Sequence, residues 1–317
     1  MIDTIHLRLP RYEVEGIDFM KSIPLYLTDV ETRKKAETGI SYIIGRLGNL
    51  QVTANPGEVR ICKGSLCKWF LGDNFQTMTR DNLKDSIEKL SDLLHLPIDK
   101  AIITRLDIGE NFIMNYPIPV YLNHLGEMKK AIRMEIGSNG LIFQKGGEEI
   151  VFYDKIAEHR KKDRGRIIPE EYVGKNVLRI EHRDKKRICN VFGMKAPTAS
   201  MLYDKKNYIM LLERWEKCYN DIDKINTITM DFKKVKGKKM QKEFALLHMI
   251  HAYGGEMEYI KRVEEARKRG DLTAKEAYDM KQDVKKAYKN EDFTMSSKEI
   301  AELDKKVMDR VKVYIQM

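Results

Sequence analysis

Glu148-Glu-Ile-Val-Phe-Tyr-Asp-Lys155 follows a Gly146-Gly147 turn signal and crowds β-branched and aromatic residues together, so it reads as a β-strand. Side chains alternate along a strand. Val151, Tyr153 and Lys155 are therefore expected on one face, with Ile150 and Phe152 on the other. This sets a phenol beside an ammonium. A phenol with a pKa of about 10 is a poor nucleophile until a neighbouring charge or metal activates it. Taken alone, Tyr-x-Lys equally describes a strand residue next to a solvated lysine.

Three more stretches show the same two-sided pattern. Ile2 to Pro10 sets Thr4, His6 and Arg8 against Ile5, Leu7 and Leu9. Ala101 to Ile108 sets Ile103, Arg105 and Asp107 against Ile102, Leu106 and Ile108. Val177 to Arg183 sets Arg179, Glu181 and Arg183 against Leu178 and Ile180. The apolar faces need helices over them, whereas an antiparallel sheet can leave its other face to solvent. In one sheet, Asp107, Glu181, Tyr153, Lys155, Arg105 and Arg179 would converge on that open face. Carboxylates suit Mg²⁺ or Mn²⁺, Lys and Arg neutralise growing charge on a phosphate, and a tyrosine can attack phosphorus. The competing reading is a set of strand-surface ion pairs, such as Arg105 with Glu181, worth little.

The remaining elements read as follows. Val59 to Lys63 and Cys67 to Leu71 are short strand candidates, and Lys63, Lys68, Trp69 and Phe70 mix base with aromatics. That mixture suits stacking on unpaired bases, or a hairpin with one core aromatic. Thr79 caps a helix whose Leu83, Ile87, Leu90 and Leu94 share a face, stopped by Pro97. Leu125 to Arg133 reads as a helical piece, and Leu141 to Gln144 as a strand. From about Lys195 the pattern turns helical. One helix carries Met201, Ile209, Leu212, Trp215, Tyr219 and Ile222, and a second, with Met240, Phe244, Leu247 and His251, ends at Gly254-Gly255. Capping boxes at Thr273–Glu276 and Ser296–Glu299 open the last two. Their narrow stripes suit packing on a single partner helix, in the same chain or in a second copy, which leaves a homodimer through these C-terminal helices open.

The chain has 317 residues, enough for about two domains, and carries a net charge of +10, which favours an anionic partner with nucleic acid first. No apolar run approaches a membrane span and no secretion leader is expected, so no membrane partner is expected either. The four cysteines (Cys62, Cys67, Cys189, Cys218) form neither a disulfide framework nor a zinc pattern, and are expected to be reduced.

The order Met1-Ile-Asp3 through Leu7-Arg-Leu-Pro10, then Thr104-Arg-Leu-Asp107, Val151-Phe-Tyr-Asp-Lys155 and Leu178-Arg-Ile-Glu-His-Arg183 resembles the filamentous-phage gene II replication initiators. Gly64-Ser-Leu-Cys-Lys68 and Leu202-Tyr-Asp-Lys205 are similar to phage and plasmid replication proteins of this group, and the resemblance covers about residues 1 to 225. It implies rolling-circle initiation: nicking of one strand of origin DNA, a 5′-phosphotyrosine link at Tyr153, a free 3′-hydroxyl for a host polymerase, and a host helicase as partner. It implies a place in the host cytoplasm. A mobilisation relaxase would share the chemistry, and a non-catalytic origin- or single-strand-binding protein would share only the surface.

The His-hydrophobic-His metal motif of many rolling-circle initiators is missing, since His248 and His251 are separated by two residues on a helix. The metal, Mg²⁺ or Mn²⁺, is therefore expected on Asp107 and Glu181, with Asp3 a weaker third and Glu110 and His182 weaker still. Tyr203, in a similar Tyr-Asp-Lys setting, is expected to pack on a helix rather than react. The expected organisation is α+β: an antiparallel sheet with helices on one face over residues 1–195, the Rep-type nicking domain, followed by a helical DNA-binding or oligomerisation region over residues 196–317.

Lysine and arginine are dense at His159 to Arg166 and at Lys233 to Lys239. If these runs meet phosphates, each contact adds about 0.7–0.9 to the slope of log K against log salt. Neutralising four of these lysines should flatten that slope by about 3 in a salt titration of DNA binding; an unchanged slope would mark the runs as solvated surface.

Overall fold

The computed structural model describes residues 1–162, 167–186, 188–229 and 232–316. Its centre is a ten-stranded sheet in the order β2-β3-β4-β5-β1-β6-β11-β10-β9-β8, antiparallel at every pairing. The strands are β1 (Ile2–Pro10), β2 (Thr28–Lys34), β3 (Ser41–Leu47), β4 (Leu50–Asn55), β5 (Glu58–Lys63), β6 (Ile102–Met114), β8 (Ile132–Glu135), β9 (Gly140–Lys145), β10 (Glu148–Asp154) and β11 (Asn176–Asp184). A separate short strand, β7 (Leu125–Met128), pairs with Ile222–Lys224. The fold is α+β with a helical C-terminal region.

Directly opposed residues on neighbouring strands share a face, and the register sorts the side chains into rows. Tyr153 lies opposite Arg179, which lies opposite Asn111; Val151 opposes Glu181, which opposes Gly109; Glu149 opposes Arg183, which opposes Asp107. All these form one face. The other face carries Phe152, Ile180 and Phe112, covered by α4 (Lys205–Asn220), whose Trp215 stacks on Phe112 at 6.3 Å.

Four local readings change. Cys67 to Leu71 is not a strand but part of α1 (Leu66–Leu71), because Ser65 Oγ accepts the Lys68 N–H and starts a helix. Residues 125–133 hold strands β7 and β8 rather than a helix. Lys155 is not on β10: it opens α3 (Lys155–Lys162), where Asp154 Oδ1 accepts the Ala157 N–H. The expected basic loop is helical up to Lys162, and residues 163–166 of it lie outside the described residues. The helix predicted after Thr79 is α2 (Arg80–Leu94), opened by a Thr79–Asn82 capping box. Its Leu83, Ile87, Leu90 and Leu94 are buried, each worth about 1.5–3 kcal/mol.

Contacts divide the chain into two compact units. One comprises residues 1–118, 130–221 and 307–317; the other comprises residues 119–129 and 222–306. The second unit is helical, with α5 (Gly237–Ala252), α6 (Glu256–Arg269) and α7 (Ala274–Tyr288). Phe244, Leu247, Ile250, Val284 and Phe293 form its core. Helix α6 has no counterpart in the sequence reading. The last helix, α8 (Lys298–Gln316), is capped by Ser297 rather than Ser296, since Ser297 Oγ accepts the Ile300 N–H. Its stripe of Ile300, Leu303, Val307, Val311 and Tyr314 is buried, as are Ala277, Val284 and Ala287 of α7. These stripes are packed within this chain. Among the described residues no helix is long and apolar enough to cross a membrane.

On the helix-covered face sits a second polar cluster. Glu148 and Asp184 are cross-strand partners, and Arg214 Nη2 of α4 reaches both, at 2.8 and 2.7 Å. Burial disfavours a charged His182, but hydrogen bonding to Cys218 and Glu148 outweighs it and pushes the imidazole up to about 9. Two cations thus face two carboxylates. Arg214→Met would leave the Asp184 carboxylate, 1 % exposed, short of its closest cation. Loss of about 3 kcal/mol is expected, read as a lower urea midpoint; an unchanged midpoint would show that Arg214 does not pin α4 to the sheet.

Candidate functional site

A β-bulge decides which side chains meet on the uncovered face. The β1–β6 register slips between Ile2 and Thr4, so Asp3 leaves the alternation that groups it with Ile5 and turns toward Arg179, 2.9 Å away. Asp3 Oδ1 also accepts from Ser65 Oγ at 2.5 Å, so the residue that caps α1 also steadies this carboxylate.

Arg179 is 2 % exposed and organises the rest. Its Nε donates to Glu181 Oε1 at 2.6 Å, and its Nη1 donates to the Asn74 carbonyl and to Asn111 Oδ1, both at 3.1 Å. Asn111 Nδ2 returns to the carbonyls of Asn74 and Phe75 at 3.0 and 2.9 Å. Tyr153 Oη donates to Glu181 Oε1 at 2.6 Å, and Arg183 Nε to Glu181 Oε2 at 2.8 Å. Beside them, Arg105 grips Asp107 with two hydrogen bonds of 2.8 and 2.6 Å. Lys155, fully buried, donates to Asn74 Oδ1 and Glu158 Oε2 at 2.9 and 3.0 Å, with the Phe75 ring 5.3 Å away.

The structure therefore brings Tyr153, Glu181, Arg179 and Asp3 into direct contact, with the Arg105–Asp107 pair next to them. It does not bring in Glu110 or His182, which lie on the opposite face of the sheet. Lys155 meets the cluster through Asn74 rather than as a strand neighbour of Tyr153. Tyr203 lies between a 3-10 turn and α4, whose cap is Asp204, instead of within a helix. The face is also less open than expected: Asp107, Glu181 and Arg179 are all buried, and the Asn74 carbonyl of the turn after α1 accepts from Arg179 and Asn111.

Sequence reasoning gave no role to Asn74, Asn111, Ser65 or Arg183. One signal was present: Gly109 interrupts a strand, and a strand glycine often marks close backbone approach. A Cβ there would stand 2.9 Å from Arg179 Nη2 and 3.0 Å from Glu181 Cγ.

Electrostatics follow from this packing. Burial, then the Glu181 charge, raises Tyr153 well above the usual phenol value. Burial works against the Glu181 charge, yet Arg179, Arg183 and the Tyr153 hydrogen bond hold its pKa far below the usual carboxylate value. Asp107 shows the opposite balance, raised by burial despite Arg105. Lys155 is lowered by burial and by Arg179.

Asp3, Asp107 and Glu181 offer hard oxygens that suit Mg²⁺ or Mn²⁺. All six of those oxygens already carry a donor from Ser65, Tyr153, Arg105, Arg179 or Arg183. The donor chemistry fits a divalent cation, provided guanidiniums move. Among the described residues, the grouping whose ligand atoms lie within 4.8 Å of one another is Glu148, His182 and Asp184. That group is on the other face, and Arg214 already bonds both carboxylates.

A family model described as the N-terminal part of the replication-associated gene II protein of phages matches residues 1–204, which hold every residue of this cluster. The chain belongs to that family. No curated protein matches the chain. Family membership makes it a gene II-type phage replication initiator.

Gly109→Ala tests the packing at the centre of the cluster. The added methyl would displace Arg179 or Glu181, neither of which has room to yield, at a cost of about 1–3 kcal/mol. Lower stability by that amount is expected from denaturation; a variant as stable as the parent would show that the pair is not tightly placed.

Proposed function

We propose that the chain initiates rolling-circle replication by nicking one strand of phage or plasmid origin DNA through Tyr153. The observation that carries this reading is the hydrogen bond from Tyr153 Oη to Glu181, within a cluster of three arginines and three carboxylates on one sheet face. In the step proposed, Tyr153 Oη bonds to phosphorus and the bond from phosphorus to the 3′ oxygen breaks. The phenol proton leaves along the hydrogen bond to Glu181, and the departing 3′ oxygen takes a proton from solvent. The 5′-phosphotyrosine keeps the phosphoester, so the strand can be rejoined by the reverse attack, and the 3′-hydroxyl is free to prime a host polymerase.

Arg179 fixes Glu181 and Asp3, while Arg105 and Arg183 supply positive charge at the exposed edge of the cluster, where a phosphate would arrive. Lys155 holds the Asn74 turn that Arg179 and Asn111 also bind, so it positions the site. A Mg²⁺ or Mn²⁺ held by Asp107 and Glu181, with Asp3 nearby, would add Lewis-acid polarisation of the scissile phosphate.

A non-catalytic DNA-binding role draws on a specific observation, the raised pKa of Tyr153, which makes the phenol harder to ionise in this arrangement. The two readings part on one experiment. The full chain is incubated with a single-stranded origin oligonucleotide and Mn²⁺, digested, and the DNA-linked peptide sequenced. Tyr153 is expected as the linked residue. Tyr153→Phe keeps the ring and should abolish nicking and adduct while leaving DNA binding close to that of the parent, because the hydroxyl's hydrogen bond is made to Glu181 within the protein. An adduct on Tyr203, or one formed by the Phe variant, would refute the assignment.

A further inference from the structure

The three guanidiniums on the carboxylates are not equivalent. Arg179 is sealed in, bonded to Asp3, Asn74, Asn111 and Glu181. Arg105 and Arg183 keep 28 % and 24 % of their side chains exposed, and each grips its carboxylate with two guanidinium nitrogens. Both sit on the row formed by Asp107 and Arg183 or beside it, at the solvent edge of the cluster.

We propose that Arg105 and Arg183 are exchangeable guanidiniums, which occupy Asp107 and Glu181 in the DNA-free protein and transfer to a backbone phosphate when the strand binds, releasing both carboxylates to the divalent cation. This rests on the nicking function proposed above. Three physical arguments support it. A guanidinium presents the same planar fork to phosphate as to carboxylate, so the exchange keeps its hydrogen bonding. Charge also favours a joint exchange: Asp3, Asp107 and Glu181 are matched by Arg105, Arg179 and Arg183, and the neighbouring Glu149, 3.8 Å from Arg183, is matched by Lys185 at 2.5 Å. A divalent cation entering alone would leave a buried site with two excess positive charges, and each backbone phosphate that enters with it removes one of them. Finally, the two arginines that must move are the two that reach solvent, and the one that must stay is fully enclosed.

The consequence is thermodynamic coupling: DNA should tighten cation binding, and the cation should tighten DNA binding by the same factor. The test uses Mn²⁺ binding followed by electron paramagnetic resonance and calorimetry, in a Tyr153→Phe background so that no cleavage intervenes. In that parent, a single-stranded origin oligonucleotide should tighten Mn²⁺ binding by about 5- to 150-fold, the usual range of such coupling. In the DNA-free Arg105→Gln/Arg183→Gln protein, Mn²⁺ should bind at least about fivefold more tightly than in the DNA-free parent. A double variant that binds Mn²⁺ no more tightly than the parent overturns the exchange. So does a parent whose Mn²⁺ affinity ignores the oligonucleotide, a measurement that needs no arginine variant. Asp107→Asn/Glu181→Gln separates the two levels of the reading. If Mn²⁺ binding survives that change, the cation lies elsewhere and the carboxylate assignment falls together with the exchange. If Mn²⁺ binding is lost there yet unmoved by the arginine changes, the exchange alone falls.

Discussion

Arg179 is the side chain on which the reactive face depends. A guanidinium taken wholly out of water is tolerated only when its charge is paired and its N–H groups are bonded. Here Glu181 and Asp3 supply the charge, and Asn74 and Asn111 supply carbonyl oxygens. Each partner comes from a different part of the chain: β1, the turn after α1, β6 and β11. Burying one arginine therefore fixes four segments relative to one another. Gly109 is the local condition for it, since any side chain at that point would occupy the space of the guanidinium.

The same arrangement recurs on the reverse of the sheet with a different outcome. Glu148, His182 and Asp184 are close enough to suggest a metal site, with Arg214 bonded to both carboxylates, and His182 lies one residue from Glu181 in sequence. Alternation along β11 sends the two neighbours to opposite faces. On the covered face, Arg214 comes from α4 and the cluster closes over it, joining helix to sheet. On the other face, Arg105 and Arg183 come from the strands themselves and reach outward. One cluster serves packing, and the other retains cations at an edge that a ligand can reach.

Much of this was legible in the sequence, and the failures have physical causes. Alternation on β1, β6, β10 and β11 was readable because each strand buries one face and charges the other, so the convergence of Tyr153, Arg179, Glu181, Asp107 and Arg105 followed from it. Asp3 was misplaced because a bulge breaks the period of two and leaves no compositional mark. Lys155 was misplaced because Asp154 accepts the Ala157 N–H, ending the strand one residue before the pattern does. Strand β2 escaped notice because Thr28–Lys34 lies wholly exposed and so carries no apolar face to read. Asn74 and Asn111 contribute through carbonyls and amides brought together by tertiary packing, which no spacing along the chain announces.

The resting arrangement would hold the proposed nucleophile, Tyr153, back. Tyr153 donates its proton to a carboxylate that Arg179 and Arg183 make a weak base, while burial and that same carboxylate raise the phenol's pKa. Proton transfer along this hydrogen bond requires the two affinities to approach each other. Lys155 does not provide this, because its ammonium is directed to Asn74 and Glu158. A divalent cation taking the place of Arg183 on Glu181 would leave that carboxylate a weak base, so in the proposed reaction the gap would close at the phenol, whose hold on its proton is weakened by positive charge near its oxygen. That charge would come from what binds at the exposed edge rather than from the fold. The cluster is stable because its charges are matched, and the proposed attack would begin only once a bound phosphate and cation unmatch them.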